Sequence, residues 1–533
     1  MFTWMGIRSS LVSQNVKLMN PLARGSSRYF NTKFFSSNAS KQTTSKRFIW
    51  GKRLVLLGSL GAGVYIWDSY FNAQALTRSI RTVYTATIIA ADYKINFNAE
   101  RADRIEALHE RVAHRLVNMV SKNGGLYIKM GQIVAMQSAN LPPVYGQAFK
   151  GMFDDAPQVG WDEVSEIIKT QYNRPAEEVF ASIEKTASAS ASIAQVHEAT
   201  LWSGEKVAVK VQKPSVSKQM NWDLLVYKCM MYVYDKWIFH IPLYFTVDYV
   251  SERLRSEINF VVEAEATRSS RDAINSTNFL KGNVYVPKVY DELSGEKIMV
   301  TEWIDGIPLY NQEALSNAGL SKKQILGSLF HFLSFQMFST KQVHCDPHPG
   351  NIVVRKVGRQ PQVVILDHGL YVHESESFRK SFALLFSAVY DFDRSAIMEV
   401  MHSWGVTEPD VFANRMLNIP VDGDLGGNSE SKSQEELFQE QLSQRARFVS
   451  FLNDCQRLPQ ELLMLGRCIM LIQKNNQMFG YPVNSLAIMG DVASRYVENK
   501  SSPRWYQRLY SSVYWFFQHI FFPGDFRVPE VTE

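Results

Sequence analysis

Residues 343–369 read VHCDPHPGNIVVRKVGRQPQVVILDHG, and four polar side chains stand out in them. Asp346 and Asn351 are five apart, and His344 precedes Asp346 by two. The two prolines at 347 and 349 make this a stiff loop rather than a helix. Sixteen residues after Asn351, the apolar run Val363–Leu366 delivers Asp367 into the turn Asp367-His368-Gly369. A carboxylate at 346 can orient a nucleophile or its water. The Asn351 amide oxygen and the Asp367 carboxylate can hold Mg²⁺ between phosphates. A rival reading makes His344, Cys345 and His348 a transition-metal site.

Upstream, Val207-Ala208-Val209-Lys210 ends on a lysine in a predicted strand, where a phosphate ligand often sits. The stretch EINFVVEAEATR supplies Glu257 and Glu263, one of which should pair with Lys210. Six residues apart, they are about 240° apart around a helix and do different jobs. Lysine, helix glutamate, H-x-D-x₄-N and D-x-G, in that order, follow the protein-kinase pattern. An ordinary kinase would carry G-x-G-x-x-G before the lysine. Here 187–197 reads ASASASIAQVH, with no glycine. Alanine resists positive φ and stiffens such a loop.

The surrounding chain fits this order. Helical periodicity covers 103–120, and 126–139 continues as a helix ended by Leu141-Pro142-Pro143. Segment 161–182 reads as one or two helices. Val196–Thr200 and Lys206–Val211 read as a hairpin around Ser203-Gly204. Helices are expected over 216–235 and 247–272, and strands at 284–289 and 297–303. Beyond about 320 the chain is mostly helical, and 422–435 reads as an exposed acidic loop.

The motifs resemble the UbiB family, also called aarF-domain-containing or ABC-one-type atypical kinases, over residues 100–500 or so. Its K-x-G-Q signature stands as Lys129-Met130-Gly131-Gln132. Its alanine-rich loop stands as Ala189-Ser190-Ala191, and its S-I-A-Q-V-H element as Ser192–His197. The intact HCDPHPGN, the A-Q-V-H and the D-H-G-L-Y resemble the mitochondrial aarF-domain-containing kinase one branch. The resemblance implies a two-lobed α+β, protein-kinase-like fold with an N-terminal helical extension that hinders protein substrates. It implies ATP and Mg²⁺ as cofactors, and ATPase activity serving ubiquinone or lipid homeostasis. It makes Glu263 the partner of Lys210, and gives Lys129, Gly131, Gln132 and Glu257 to the family's signature contacts. Asn259 departs from the family's E-x-D, so no metal or lysine role carries over to it.

On this reading Asp346, Lys210 and Glu263 are catalytic, and Asn351 and Asp367 hold the metal. Ala189, Ser190, Ala191, Ser192 and Lys210 contact nucleotide, and Glu302, Trp303 and Ile304 form the adenine hinge. The expected domains are a leader at 1–47, a membrane segment at 48–70, the extension at 71–158, an N-lobe at 159–305, a C-lobe at 306–500 and an aromatic tail at 501–533.

Composition agrees with a folded body. The 533 residues are 46% hydrophobic and 20% charged, which excludes a mostly disordered chain and a many-span membrane protein. Four cysteines without C-x-x-C spacing exclude a disulfide scaffold. The net charge of +5 hides two unlike parts, because residues 1–53 hold ten Lys/Arg and no acid. The rest carries 47 basic against 52 acidic residues, so no nucleic-acid partner is expected. The acid-free leader reads as a mitochondrial transit peptide. Leu54–Trp67 is a fourteen-residue uncharged run behind Lys52 and Arg53, read with its flanks as one inner-membrane span, or else as a buried or interfacial helix. The positive flank favours the intermembrane space over the matrix for the body, and both sides stay open. The aromatic stretch 503–523, with Arg504 and Arg508, suits a membrane interface or a helix packed on the C-lobe.

The expected partners are the mitochondrial membrane and a membrane lipid or quinone-type small molecule. Protein partners stay unassigned. The alternatives are a nucleotide-binding pseudokinase scaffold without turnover, and a kinase for a small-molecule or protein acceptor.

Overall fold

The structure is a computed structural model that describes residues 39–136, 142–149, 158–242, 244–391, 393–406, 433–455 and 459–498. The chain divides into two compact units, Met1–Tyr65 and Ile66–Glu533. Helix α1, Ala39–Phe71, runs through the division. In the first unit it exposes Val55, Leu56, Leu60 and Val64. Among the described residues no helix is long and apolar enough to cross a membrane, which corrects the expected span at 48–70. The physical reason is length. Lys52 and Arg53 limit the uncharged run to Leu54–Trp67, about 21 Å of helix against a core of about 30 Å.

In the second unit, four helices form an extension: α2 Ala75–Asn96, α3 Ile105–Asn123, α4 Leu126–Met136 and α5 Pro143–Phe149. Asp68, the first acidic residue of the chain, accepts from Leu76 N at 2.9 Å and Thr77 N at 2.8 Å, and so fixes the start of α2. Ile105, Leu108 and Val112 of α3 are buried at the predicted spacing. Residues 137–139, the end of the expected helix 126–139, lie outside the described residues.

The segment 161–182 resolves into two helices, α6 Trp161–Tyr172 and α7 Ala176–Val179, followed by β1 Ser182–Ile183. Then come β2 Ala189–Ser190, β3 Ala194–Thr200, β4 Lys206–Gln212 and helix α8 Pro214–Val233. The β3–β4 hairpin has the expected turn, in which Gly204 takes φ +88°, the left-handed value glycine accepts without strain. Strand alternation explains the sheet's two faces. Val207, Val209 and Val211 enter a core with Val164 and Ile168 of α6, so Ala208 and Lys210 face the cleft.

The expected helix 247–272 is two helices, α9 Thr246–Glu257 and α10 Phe260–Asn275. The chain breaks at Asn259, whose side chain accepts from Val261 N at 3.0 Å as an N-cap. Strand β5 is only Val284–Tyr285, shorter than the expected 284–289 because Pro287 cannot donate to a ladder. Strand β6, Ile298–Glu302, completes a five-stranded antiparallel sheet of order β1-β3-β4-β6 with β2 beside β3.

The second lobe begins with β7 Ile307–Pro308, α11 Gln312–Asn317 and α12 Lys322–Ser339. Helix α12 is buried almost all round through Leu326, Leu329, Phe330, Phe332, Leu333 and Met337, as a core helix must be. Strands β8 Gln342–His344, β9 Ile352–Val357, β10 Gln360–Ile365 and β11 Tyr371–His373 carry the polar motifs. They form a sheet of order β5-β10-β9-β7 and a pair β11-β8. Helices α13 Glu376–Asp391, α14 Arg394–Ser403, α15 Gln434–Cys455, α16 Gln460–Met478 and α17 Ser485–Glu498 close the lobe. The expected loop 422–435 lies outside the described residues through 432, and helix α15 takes up its end. The leader through residue 38 and the aromatic stretch 503–523 also lie outside them.

Candidate functional site

Two charged clusters meet between the lobes. The first is built on the N-lobe. Lys210 Nζ lies 2.5 Å from Glu263 Oε1 of α10 and 3.7 Å from Asp367 Oδ2, over the Phe260 ring at 5.3 Å. Burial alone would lower the Lys210 ammonium, but Asp367 and Glu263 outweigh it and hold it above its usual range. Burial likewise opposes ionisation of Asp367. Lys210, Lys129 and the Gly369 N–H, donating at 2.7 Å, hold this carboxyl well below the usual range. A Cβ at Gly369 would lie 3.1 Å from Asp367 Oδ1, a tight approach to the carboxylate that glycine avoids.

The second cluster surrounds Asp346. Arg467 of α16 reaches Asp346 Oδ1 at 3.0 Å, and Lys129 of α4 reaches Oδ2 at 3.7 Å. Lys129 also pairs with Glu257 Oε2 at 3.3 Å. Against the pull of burial, Arg467 and Lys129 keep the Asp346 carboxyl below its ordinary range. Gly131 is buried two residues further along α4, and Gln132 follows, its side chain outside the described residues. Helix α16 also braces the loop through Asn475 Nδ2 to Pro347 O at 2.9 Å and Cys468 Sγ to His344 O at 3.2 Å.

Asn351 is brought beside the D-H-G turn by backbone geometry, its carbonyl accepting from Leu366 N at 2.9 Å. Asn351 and Asp367 offer an amide oxygen and a carboxylate, the oxygen donors that Mg²⁺ takes together with substrate phosphates. The rival transition-metal site is not formed. Among the described residues no group of three His, Cys, Asp or Glu side chains could hold a metal ion. Cys345 is a buried thiol pushed up to about 12, and His348 Nδ1 accepts from Gly350 N at 3.2 Å.

The alanine-rich loop is an ordered hairpin rather than a flexible linker. Ala189 pairs with Val196 and Ser190 with Gln195. Ala191 N donates to Ala194 O at 2.8 Å, and Ser192 follows at the tip. Lys213, on the turn after β4, pins the loop by donating to Ala191 O at 2.6 Å. Burial pulls its ammonium down to about 8. Gln195 and His197 serve the scaffold. Gln195 bonds both backbone groups of Val159, at 2.9 and 3.2 Å, and His197 Nδ1 lies 2.7 Å from Glu184 O.

Glu302, Trp303 and Ile304 lead out of β6 toward β7, at the passage from one sheet to the other. Trp303 N donates to Lys206 O at 3.1 Å, and the Glu302 carboxylate accepts from Tyr285 OH at 2.5 Å.

Arg467 and Lys213 are absent from the sequence reading. Arg467 had a signal: it is the one charge in LLMLGRCIMLI, 462–472, and a buried arginine requires a partner. Lys213 had none.

In sequence the chain is similar to proteins of one family. A family model described as the ABC1 atypical kinase-like domain matches residues 151–401. An ABC1 family protein of Schizosaccharomyces pombe is 66% identical over 485 residues, 91% of each chain. A probable serine/threonine-protein kinase of Dictyostelium discoideum is 30% identical over 448 residues, 82% of this chain and 64% of that one. An AarF domain-containing protein kinase 1 of Xenopus laevis is 31% identical over 354 residues, 64% of this chain and 67% of that one.

Proposed function

We propose that this chain, which belongs to the ABC1 atypical kinase-like family, binds Mg-ATP and hydrolyses it in the service of a membrane lipid or quinone-type molecule of the mitochondrion. The observation that carries the reading is the Lys210 ammonium, placed 2.5 Å from Glu263 and 3.7 Å from Asp367. That is the constellation a phosphoryl-transfer site needs before nucleotide arrives.

The chain's own residues divide the work. Lys210 contacts phosphate oxygens and Glu263 keeps it aimed. The hairpin 189–192 covers the phosphates, and the passage 302–304 borders the adenine. Asn351 and Asp367 would hold Mg²⁺, which when bound neutralises charge developing on the phosphates. Asp346 orients the attacking water. Lys129 occupies one oxygen of Asp346, at 3.7 Å, where the hydroxyl of a large acceptor would otherwise approach. That contact favours water or a small acceptor over arbitrary proteins.

The leader supports a mitochondrial address, since residues 1–47 hold eight cations and no acid. A second reading, transfer to a defined acceptor, is favoured by the Dictyostelium relative, which is described as a probable serine/threonine-protein kinase.

The test is phosphate release from Mg-ATP by the full chain in detergent with lipid, compared with Asp367→Asn. We expect release by the native chain and a fall of at least about a hundredfold in the variant. Equal rates would leave a nucleotide-binding scaffold. Label recovered in an added acceptor, and lost in Asp346→Asn, would favour the kinase reading.

A further inference from the structure

Behind the site runs a chain of buried hydrogen bonds whose direction is set at both ends by the backbone. At one end the His344 N–H can only donate, and it meets Gln336 Oε1 at 3.1 Å. The other half of that amide, Nε2, therefore donates to Ser270 Oγ at 3.0 Å. At the far end the Ile365 carbonyl can only accept, so His368 Nε2, 3.2 Å away, carries the proton. His368 Nδ1 is then an acceptor, and the Tyr371 hydroxyl at 2.7 Å donates to it. The Tyr371 oxygen, 3.1 Å from Ser270 Oγ, is left to accept the serine proton. Every link is satisfied in one direction, and all six residues on the path, four by side chain and two by backbone, are buried.

The path joins the three elements the site depends on. Ser270 lies on α10 with Glu263, two turns along. His368 is the middle residue of the turn that carries Asp367. His344 begins the loop that carries Asp346. In kinases the middle residue of that turn is Phe, held by packing alone, and its position sets the active or inactive state. Here, moving the ring would strand the Tyr371 hydroxyl and the Ile365 carbonyl away from water.

We propose that the Gln336–Ser270–Tyr371–His368 relay locks the D-H-G turn to helix α10, so that Asp367 and Glu263 are held in place together and the site stands assembled without a swing of the turn. Ser270 and Tyr371 are positioning residues. This deepens the Mg-ATP reading above and rests on it.

The experiment measures ATP affinity of the full chain by calorimetry, once with Mg²⁺ and once with EDTA. It is done for the native protein, Tyr371→Phe, Ser270→Ala and the double variant. The proposal expects Tyr371→Phe to reduce the Mg²⁺-dependent gain in affinity about tenfold, the size of one lost buried hydrogen bond. Metal-free ATP, which makes no use of the Asp367 carboxylate as a metal ligand, should change less than about twofold, and Ser270→Ala should add little in the Tyr371→Phe background. Hydrogen exchange over 365–371 should quicken in either single variant. Equal losses with and without Mg²⁺, or no loss, overturn the relay while leaving the Mg-ATP reading intact. No Mg²⁺-dependent gain in the native chain overturns the Mg-ATP reading. The exchange over 365–371 then decides the relay by itself, since an unchanged rate in Tyr371→Phe sinks it and a faster one sustains the lock.

Discussion

The two clusters differ in charge, and the difference separates binding from chemistry. Around Lys210 there is one cation and two carboxylates, Glu263 and Asp367. Around Asp346 there are two cations, Lys129 and Arg467, and two carboxylates, Asp346 and Glu257. The first cluster carries one negative charge too many and welcomes a divalent cation brought with phosphates. The second is already neutral and gains nothing electrostatically from a ligand. On the proposed reading, the side that would receive nucleotide is open to it. The side that would receive an acceptor is internally compensated, and an acceptor must compete with Lys129.

The comparison breaks most visibly if the first cluster loses its lysine. Lys210→Met leaves Glu263 buried and without its 2.5 Å partner. Removing one member of a buried pair costs about 3–5 kcal/mol. We expect a loss of that size in denaturant unfolding, with no detectable ATP binding. A variant as stable as the native chain would show that the pair contributes nothing.

Arg467→Met tests the neutrality of the second cluster. Asp346 in the folded chain sits below its ordinary value because Arg467 and Lys129 outweigh burial. A depressed carboxyl stabilises the fold above its unfolded value, near 3.9. That stability is lost as pH falls through the folded value. Removing Arg467 raises the folded value, so acid unfolding should begin at higher pH. Stability at pH 7 should fall by about 2–3 kcal/mol. An unchanged acid limb, followed by circular dichroism, would mean Lys129 alone compensates Asp346.

The smallest effect concerns the hinge between Glu257, in one cluster, and Glu263, in the other. Asn259 caps α10 by accepting from Val261 N at 3.0 Å. Asn259→Ala should cost about 1 kcal/mol. Asn259→Asp, which keeps the cap, should cost less and leave nucleotide affinity unchanged. A thermal shift in which the two variants behave alike would remove the capping role.

What could be read from the sequence follows from how each signal is written. Lys210, Asp346, Asn351 and Asp367 stand at fixed spacings within a single strand or loop, so their element and order were legible. The hairpin 194–212 and the helix beginning at Ile105 were legible because burial repeats with the period of the element. The break at Asn259 was not, since neither glycine nor proline marks it and the cap is visible only once the turn is formed. Arg467 bonds a carboxylate 121 residues away, and Tyr371 meets Ser270 across 101 residues. Nothing local encodes such a partner. The fourteen-residue apolar run misled in the other direction. Its hydrophobicity was plain, but its length fell short of a span.

By itself, the sequence determined that a carboxylate, an amide, a second carboxylate and a strand lysine occur in the order of a kinase-like site, and that glycine is absent from the loop before that lysine. Only the tertiary structure decided which glutamate faces Lys210, which cations neutralise Asp346, and that the D-H-G turn is tied to α10 by hydrogen bonds. The reason is physical. Spacing along a strand or loop constrains residues a few positions apart. The energy of a buried charge or polar group depends on what stands within about 4 Å of it in space, and the packing of distant segments sets that.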